Sequence, residues 1–305
     1  MIHIGLDDDM KRDVVDTYKS KHGIDRVHVL SPARFAPSFA AEHMTDPTTQ
    51  SDGRTPGLFV DWPNLIEYRY YYRLLDQIRP DTLVIVNECL RTTKRHDLTY
   101  NCIRAYLART PHAIVFQYLP ILETIEDFMI LFDFATHSRW RRESFGPSVP
   151  LHESQIHVHH TPIELRAVHV PVTDKTRKTY ARDKAKLLAE VRADPDKDPH
   201  LIPRNLLLVS GKDKLAHVHP GQAYVGRNNR FKLGNVATYK DVAGRDPRIV
   251  FEPPHGHLDF ADFLAVTRQS RIDVLVADTK ADHWYFDRFA QWAKKVNDAA
   301  AALHG

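Results

Sequence analysis

The stretch from Asp81 to Phe134, DTLVIVNECLRTTKRHDLTYNCIRAYLARTPHAIVFQYLPILETIEDFMILFDF, decides the fold. Leu83 to Val86 is an apolar, β-branched run of the length of a buried strand. Polar groups arrive together at its end: Asn87, Glu88 and then Arg91. Asp97 is placed to cap a helix over 97–109, with Leu98, Cys102, Tyr106 and Leu107 on one face. Ala113 to Phe116 reads as a second strand ending in Gln117. Thr124 and Asp127 then have the spacing of a capping box before a helix with Ile125, Phe128, Met129 and Phe132 along one stripe. The order is strand, turn, helix, strand, turn, helix. In an open α/β sheet ligands bind at the carboxyl ends of the strands, so Asn87, Glu88 and Arg91 mark the first candidate site.

Outward from this core the same pattern repeats. MIHIGL opens the chain as a short strand, followed by Asp7, Asp8 and Asp9 and a helix from Met10 to Lys21 that Gly23 ends. Arg26 to Leu30 and Leu58 to Val60 read as strands, and 36–57 as a long polar loop. Pro63 to Ile78 reads as a helix with Tyr68, Tyr70, Tyr71 and Tyr72 beside Arg69 and Arg73, a set that more often packs a core than stacks bases. Residues 137–155 form a basic linker holding Arg139, Trp140, Arg141 and Arg142. Strands are expected at 156–160, 165–170, 205–209, 248–251 and 274–277, and helices at 174–192, 258–267 and 282–296. The predicted architecture is α/β, with two Rossmann/RecA-like parallel-sheet lobes, the second partial. The predicted boundaries are a first lobe over 1–150, a basic connector over 151–203 and a second lobe over 204–305.

Composition narrows the function classes. The chain of 305 residues has a net charge of +3 and a pI near 8.7, which permits a nucleic-acid partner without demanding one. Two cysteines, Cys89 and Cys102, fall in a strand end and a helix, which excludes a disulfide scaffold. No apolar run is long enough to span a membrane and no leader is evident, so a cytoplasmic setting is the expectation.

Residues 81–134 resemble SWI/SNF-type helicase-like ATPases. That family has a strand ending in two acidic residues, a basic turn, a helix, a second strand with a Thr-Gly-Thr-Pro-like turn, and a helix ending Leu-Leu-Asp-Phe. Here the acidic box reads Asn87-Glu88-Cys89-Leu90, the second turn Gln117-Tyr118-Leu119-Pro120-Ile121, and the closing helix ends Leu131-Phe132-Asp133-Phe134. Further on, Val170-Pro171-Val172-Thr173 and Arg177-Lys178-Thr179-Tyr180 are similar to the family's segment between lobes. The central match covers about one sixth of the chain. The resemblance implies a RecA-like first lobe and a nucleic-acid partner. The family's first strand leads into Gly-Leu-Gly-Lys-Thr; this chain has Gly5-Leu6 followed by three aspartates, with neither the lysine nor the hydroxyl. Carboxylates there repel a triphosphate, and Asn87 lacks the charge that would hold a metal's water shell. ATP hydrolysis of the family kind is therefore expected to be lost. The late motifs of the second lobe are expected to be missing as well.

Two functions of different classes follow. In the first, the chain binds DNA through phosphate contacts from Arg91, Lys94, Arg95, Arg139, Arg141 and Arg142, joined by Arg227, Arg230 and Lys232 in YVGRNNRFKL. In the second, the two lobes form a group transferase, such as a nucleotide-sugar-dependent enzyme acting on DNA bases. Glu88 would then be the base, Asp8 a second catalytic carboxylate, and a nucleotide or nucleotide sugar would occupy the cleft. Three His-x-His pairs, His157/His159, His217/His219 and His255/His257, have metal-compatible spacing, but nineteen histidines make one such pair expected by accident. No metal is therefore assigned. Asp278-Thr279-Lys280, with Asp259 or Asp262, has the form of a nuclease core, against the commoner reading of a strand-end turn. Ser210-Gly211-Lys212 is a weak phosphate signal.

Overall fold

The computed structural model describes residues 1–43, 57–61, 75–91, 97–121, 125–136, 156–194, 201–219, 222–226, 236–238, 249–251, 260, 263–264 and 270–304. The chain forms two units, Met1–Thr161 with Ala299–Gly305, and Pro162–Asp298. Each is organised on a sheet whose described strand pairs all run parallel, as expected for two Rossmann/RecA-like lobes.

The first sheet contains β1 (Ile2–Ile4), β2 (Arg26–Leu30), β3 (Gly57–Val60), β4 (Thr82–Asn87), β5 (Ala113–Gln117) and β6 (Ile156–Val158), in the order β3-β2-β4-β5-β1-β6. Every residue of β4 and β5 is buried, because a parallel sheet is covered on both faces. This is why these strands read as continuous apolar runs. Helix α1 (Asp8–His22) follows β1, with Asp7 accepting from Met10 N at one end and Gly23, at φ +64°, closing the other. Its Val15 enters a cluster with Val27, Val29, Leu83, Ile85, Ile114 and Phe116. Val84, Val86 and Val115 alternate to the opposite face. The β1-to-β2 and β4-to-β5 crossovers run in opposite directions across the sheet. Right-handed connections therefore put α1 on one face and α2 (Leu98–Leu107) and α3 (Ile125–Thr136) on the other.

Asp97 caps α2 through Tyr100 N at 2.7 Å, as the sequence predicts. Its buried face is Tyr100, Cys102, Ile103, Tyr106 and Leu107, whereas Leu98, expected inside, is 61% exposed. The helix is rotated so that the Tyr100 hydroxyl donates to the fully buried Asp133 carboxylate of α3, and the first-turn leucine swings out.

The second sheet contains β7 (Glu164–Val170), β8 (Tyr224–Gly226), β9 (Val236–Thr238), β10 (Ile249–Val250) and β11 (Arg271–Ala277), in the order β7-β11-β10-β8-β9. Its helices are α4 (Asp174–Ala193), α5 (Leu201–Leu206), α6 (Gly211–Leu215) and α7 (Lys280–His304). Residues 162–193, read from sequence within a connector, belong to this unit. β7 pairs with β11 over its whole length, and Asn297 bonds Ile163 through both its amide N–H and its carbonyl. The strand expected at 205–209 is instead the end of α5 and a turn. Leu206 and Leu207 bury against Ala281 and Tyr285 of α7, and so short an apolar run fits a helix as well as a strand. Neither β8 nor β9 is expected from sequence, which places a loop or turn over 224–233. The expected helices at 63–78 and 258–267 fall largely outside the described residues.

Gly5 links the first strand to the site. It sits at φ +86°, donates to Gln117 O at 3.0 Å, and a Cβ there would lie 2.9 Å from the backbone of His159 and His160. Gly23 shares the left-handed conformation but has open space around it. Gly23→Ala is expected to cost about 1 kcal/mol, the backbone penalty alone. Gly5→Ala, which adds a clash with the backbone just past β6, is expected to cost about 3 kcal/mol or more by urea unfolding. Equal costs would show that the close approach of β1 and β6 is not a constraint.

Candidate functional site

Strands β1, β5 and β4 are neighbours, so their carboxyl ends bring Gly5–Asp9, Gln117–Tyr118 and Asn87–Glu88 to one place. The side-chain rows facing α1 continue past the strands: Leu83 and Ile85 lead to Asn87, and Val27 and Val29 lead to Ser31. Lys11 projects toward these from α1, four residues before Val15 on the same inward face.

Lys11 is 2% exposed. Its Nζ donates to Asn87 Oδ1 at 2.8 Å and lies 4.0 Å from Glu88 Oε1. Asn87 uses its amide on Ser31 Oγ at 2.9 Å and Phe35 O at 2.7 Å. Glu88 accepts from Gln117 Nε2 and from Tyr118 N, both at 3.0 Å. Gln117 Oε1 in turn accepts from Leu90 N at 3.4 Å. Glu88 has φ +53°, and its own N–H bonds Phe116 O at 2.9 Å. That left-handed turn sends the chain out of β4 while folding the carboxylate back over the end of β5. It is a strained backbone of the kind found at functional sites. Beside it, burial pushes the Cys89 thiol well above its ordinary pKa, with the Glu88 charge adding to the effect. Both cysteines are free and buried, as the sequence predicts.

Two of the three aspartates behave differently from what simple repulsion implies. Asp7 caps α1, and Asp8 accepts from Ser38 N at 3.0 Å, so the positive end of the helix is met by the protein's own carboxylates. No lysine stands directly after the glycine turn. Lys11 comes instead from one turn into the helix, and its signal was the i, i+4 spacing to Val15.

As a general base, Glu88 would need a lone pair directed at a substrate, but both of its oxygens accept hydrogen bonds from the protein and its side chain is 2% exposed. Asp8 is half-buried and accepts from Ser38 N through one oxygen. Arg91 ends the 3-10 turn Cys89–Arg91. Lys94, Arg95, Arg139, Arg141, Arg142, Arg227, Arg230 and Lys232 lie outside the described residues, as do the tyrosines at 68–72, the pair His255/His257, and Asp259 and Asp262.

The other motifs resolve into architecture. Thr279 of the Asp-Thr-Lys turn accepts from Asp282 N at 3.2 Å and opens α7, while Asp278 and Lys280 point outward. Ser210 donates to Asp282 at 2.8 Å, Thr279 donates to the same oxygen at 2.6 Å, and Lys214 pairs with the other. Lys214 and Asp282 are 1% and 0% exposed. The cation that reaches inward is thus Lys214, not Lys212 of the Ser-Gly-Lys turn. His157 is in register with His3, their rings 4.7 Å apart, with His159 beyond at 6.2 Å from His3. His217 and His219 lie in the turn after α6. Among the described residues, no group of three or more His, Cys, Asp or Glu is arranged to hold a metal. No helix among them is long and apolar enough to cross a membrane.

Several solved structures are similar to the chain. The helicase domain of Hef from Pyrococcus furiosus is 14% identical with a TM-score of 0.49, over 95% of each chain. The SWI2/SNF2 ATPase core of Sulfolobus solfataricus in complex with dsDNA is 9% identical with a TM-score of 0.40, over 97% of this chain and 88% of that one. ATP-bound Cas3 of T. fusca is 13% identical with a TM-score of 0.33, over 92% and 41%. No protein-family profile matches the chain. No curated protein matches it either. These likenesses accompany the fold and specify no activity, so function has to be read from the site's own chemistry.

Two outcomes are expected. Lys11→Met removes the cation 4.0 Å from the buried Glu88 carboxylate and should cost about 3–5 kcal/mol in urea unfolding. Adding Glu88→Gln should restore part of this, with a coupling of about 1 kcal/mol or more; strictly additive losses would show that the two side chains do not act together. The second concerns pH. Burial, with help from His157, lowers the His3 pKa from 6.5 to about 3, and burial, with help from Arg26, lowers His28 to about 4. Both are neutral in the fold, while the unfolded chain takes up protons at the ordinary value. Their contribution is therefore complete above pH 6.5 and falls as the pH drops toward 4, by about 1.4 kcal/mol per histidine per unit. A His3→Leu/His28→Leu variant should show a flatter stability profile over that range; an unchanged slope would exclude these groups.

Proposed function

We propose that this chain is a nucleic-acid-binding protein, with DNA as partner, on a helicase-like α/β scaffold that does not hydrolyse ATP. The observation that carries this reading is the buried network joining Lys11 to Asn87 and Glu88. It occupies the carboxyl ends of β1 and β4, the region where sheets of this kind receive phosphate-bearing ligands. A nucleotide site has to offer its cation to phosphate and its carboxylate to a metal's water shell. Here the cation and the carboxylate face one another. A Mg·nucleotide would have to separate a desolvated pair, which costs several kcal/mol. Asn87 withholds the second charge a metal would use, and Asp7 takes up a first-turn N–H that a phosphate would otherwise bind.

Support for a nucleic-acid partner comes from charge. The chain is net basic, and cations gather at 91–95, 139–142 and 227–232. Guanidinium groups flanking Trp140 suit a phosphate backbone with exposed bases.

The test has two arms on the purified chain. Fluorescence anisotropy with a labelled random-sequence duplex should give saturable binding that weakens steeply between about 50 and 200 mM salt. Calorimetry with Mg·ATP should give no binding heat, with or without duplex. Tight Mg·ATP association or DNA-stimulated phosphate release would overturn the loss of ATPase function, and salt-insensitive or absent duplex binding would overturn the nucleic-acid reading.

A further inference from the structure

Helix α4 carries seven basic residues against three acidic ones, and they are not evenly spread. Lys175, Lys178, Arg182 and Lys186 follow the i, i+3, i+7, i+11 spacing that keeps four side chains on one face, a row about 16 Å long. All four are exposed. The apolar side of the helix faces away from this row. Tyr180 and Leu187 pack on the cluster formed by Leu206, Leu207, Ala281 and Tyr285, and the Tyr180 hydroxyl accepts from Ala281 N at 3.1 Å. The helix is therefore held by one side and displays the cations on the other.

Three features set this face apart from an ordinary solvated one. Lys175 stands in the first turn, where the helix dipole disfavours a cation, so its position costs helix stability rather than adding to it. Among the described residues, Lys175 and Lys178 have no ion pair, and Arg182 and Lys186 pair with the half-buried Asp183 and Glu190 at the surface, pairs of little energy that a stronger anion displaces. Finally, Lys175, Lys178, Thr179 and Arg182 line a surface depression of about 410 Å³, to which the described residues contribute three cations and a hydroxyl.

We infer that the outward face of α4 is a docking surface for the phosphate backbone of a nucleic acid, with Lys175, Lys178, Arg182 and Lys186 as contacts and the Thr179 hydroxyl as a further donor. This rests on the nucleic-acid reading above and adds a surface that the 91–95, 139–142 and 227–232 stretches do not include. A linear row of point charges on a rigid rod matches a regular line of phosphates. An anionic membrane is the less fitting occupant, because an interfacial helix inserts an apolar face, and the apolar side of α4 is already buried.

The experiment compares the full chain with a Lys175→Ala/Lys178→Ala/Arg182→Ala/Lys186→Ala variant and a charge-keeping Lys175→Arg/Lys178→Arg/Lys186→Arg variant. Circular dichroism checks that each folds. The probe is a labelled random-sequence duplex titrated over a range of salt. The alanine variant should bind at least about tenfold more weakly, with its salt slope reduced by about three to four, roughly one per lost phosphate contact, and the arginine variant should match wild type. If wild type binds duplex and the alanine variant binds with the same affinity and slope, this surface is wrong while the nucleic-acid reading stands. If wild type binds no nucleic acid, both fall. Vesicles of phosphatidylserine and phosphatidylcholine form a second arm. Binding to vesicles but not duplex, lost in the alanine variant, would overturn the nucleic-acid occupant in favour of a membrane.

Discussion

A single ammonium group, Lys11 Nζ, sits beneath the first helix where three parallel strands end, and the first unit is arranged around it. A lysine at 2% exposure is tolerated only if its charge is answered. Asn87 supplies a carbonyl oxygen at 2.8 Å and Glu88 a carboxylate at 4.0 Å. Those partners are in turn fixed by Ser31, Phe35, Gln117 and the backbone of Tyr118, so the network ties β2, β4 and β5 to α1. The left-handed turn at Glu88 is the local cost of bringing the carboxylate back into this network.

The second unit solves a similar problem with the same chemistry. Lys214 of α6 meets Asp282 of α7, whose other oxygen takes hydrogen bonds from Ser210 and Thr279. In each unit a lysine from a helix following a turn is buried against a carboxylate anchored beyond a strand end. Replacing such pairs with apolar groups can leave stability unchanged, but removing one partner cannot, so a buried pair constrains which arrangement the chain adopts more than how strongly it adopts it. For the first unit the consequence bears on function. Under the function proposed above, this network stands where a nucleotide-type site would lie and leaves the basic surfaces to meet a partner.

The elements easiest to read were those whose environment is uniform. β4 and β5 are buried on both faces, so their apolar runs could be read without knowing their neighbours. The Asp97 cap and the Gly23 stop are local devices, and both stand as expected. Leu98 and the 205–209 run depart from expectation because each depends on a partner remote in sequence: the Tyr100–Asp133 bond sets the rotation of α2, and α7 decides that Leu206 and Leu207 serve a helix. The Asp-Thr-Lys and Ser-Gly-Lys turns looked like chemistry because their partner, Asp282, could not be seen from either alone.

The sequence by itself determined the repeating strand–helix order, the parallel class of the sheets and the acidic, lysine-free glycine turn. These follow from local periodicity and from groups adjacent in the chain. Only the tertiary structure decided that Lys11 meets Asn87 and Glu88, 76 residues further on in the case of Asn87, and that α4 turns Tyr180 inward and its row of cations outward. Strand order and helix rotation are set by packing between distant segments, and no local pattern encodes which polar group will face which across a buried space.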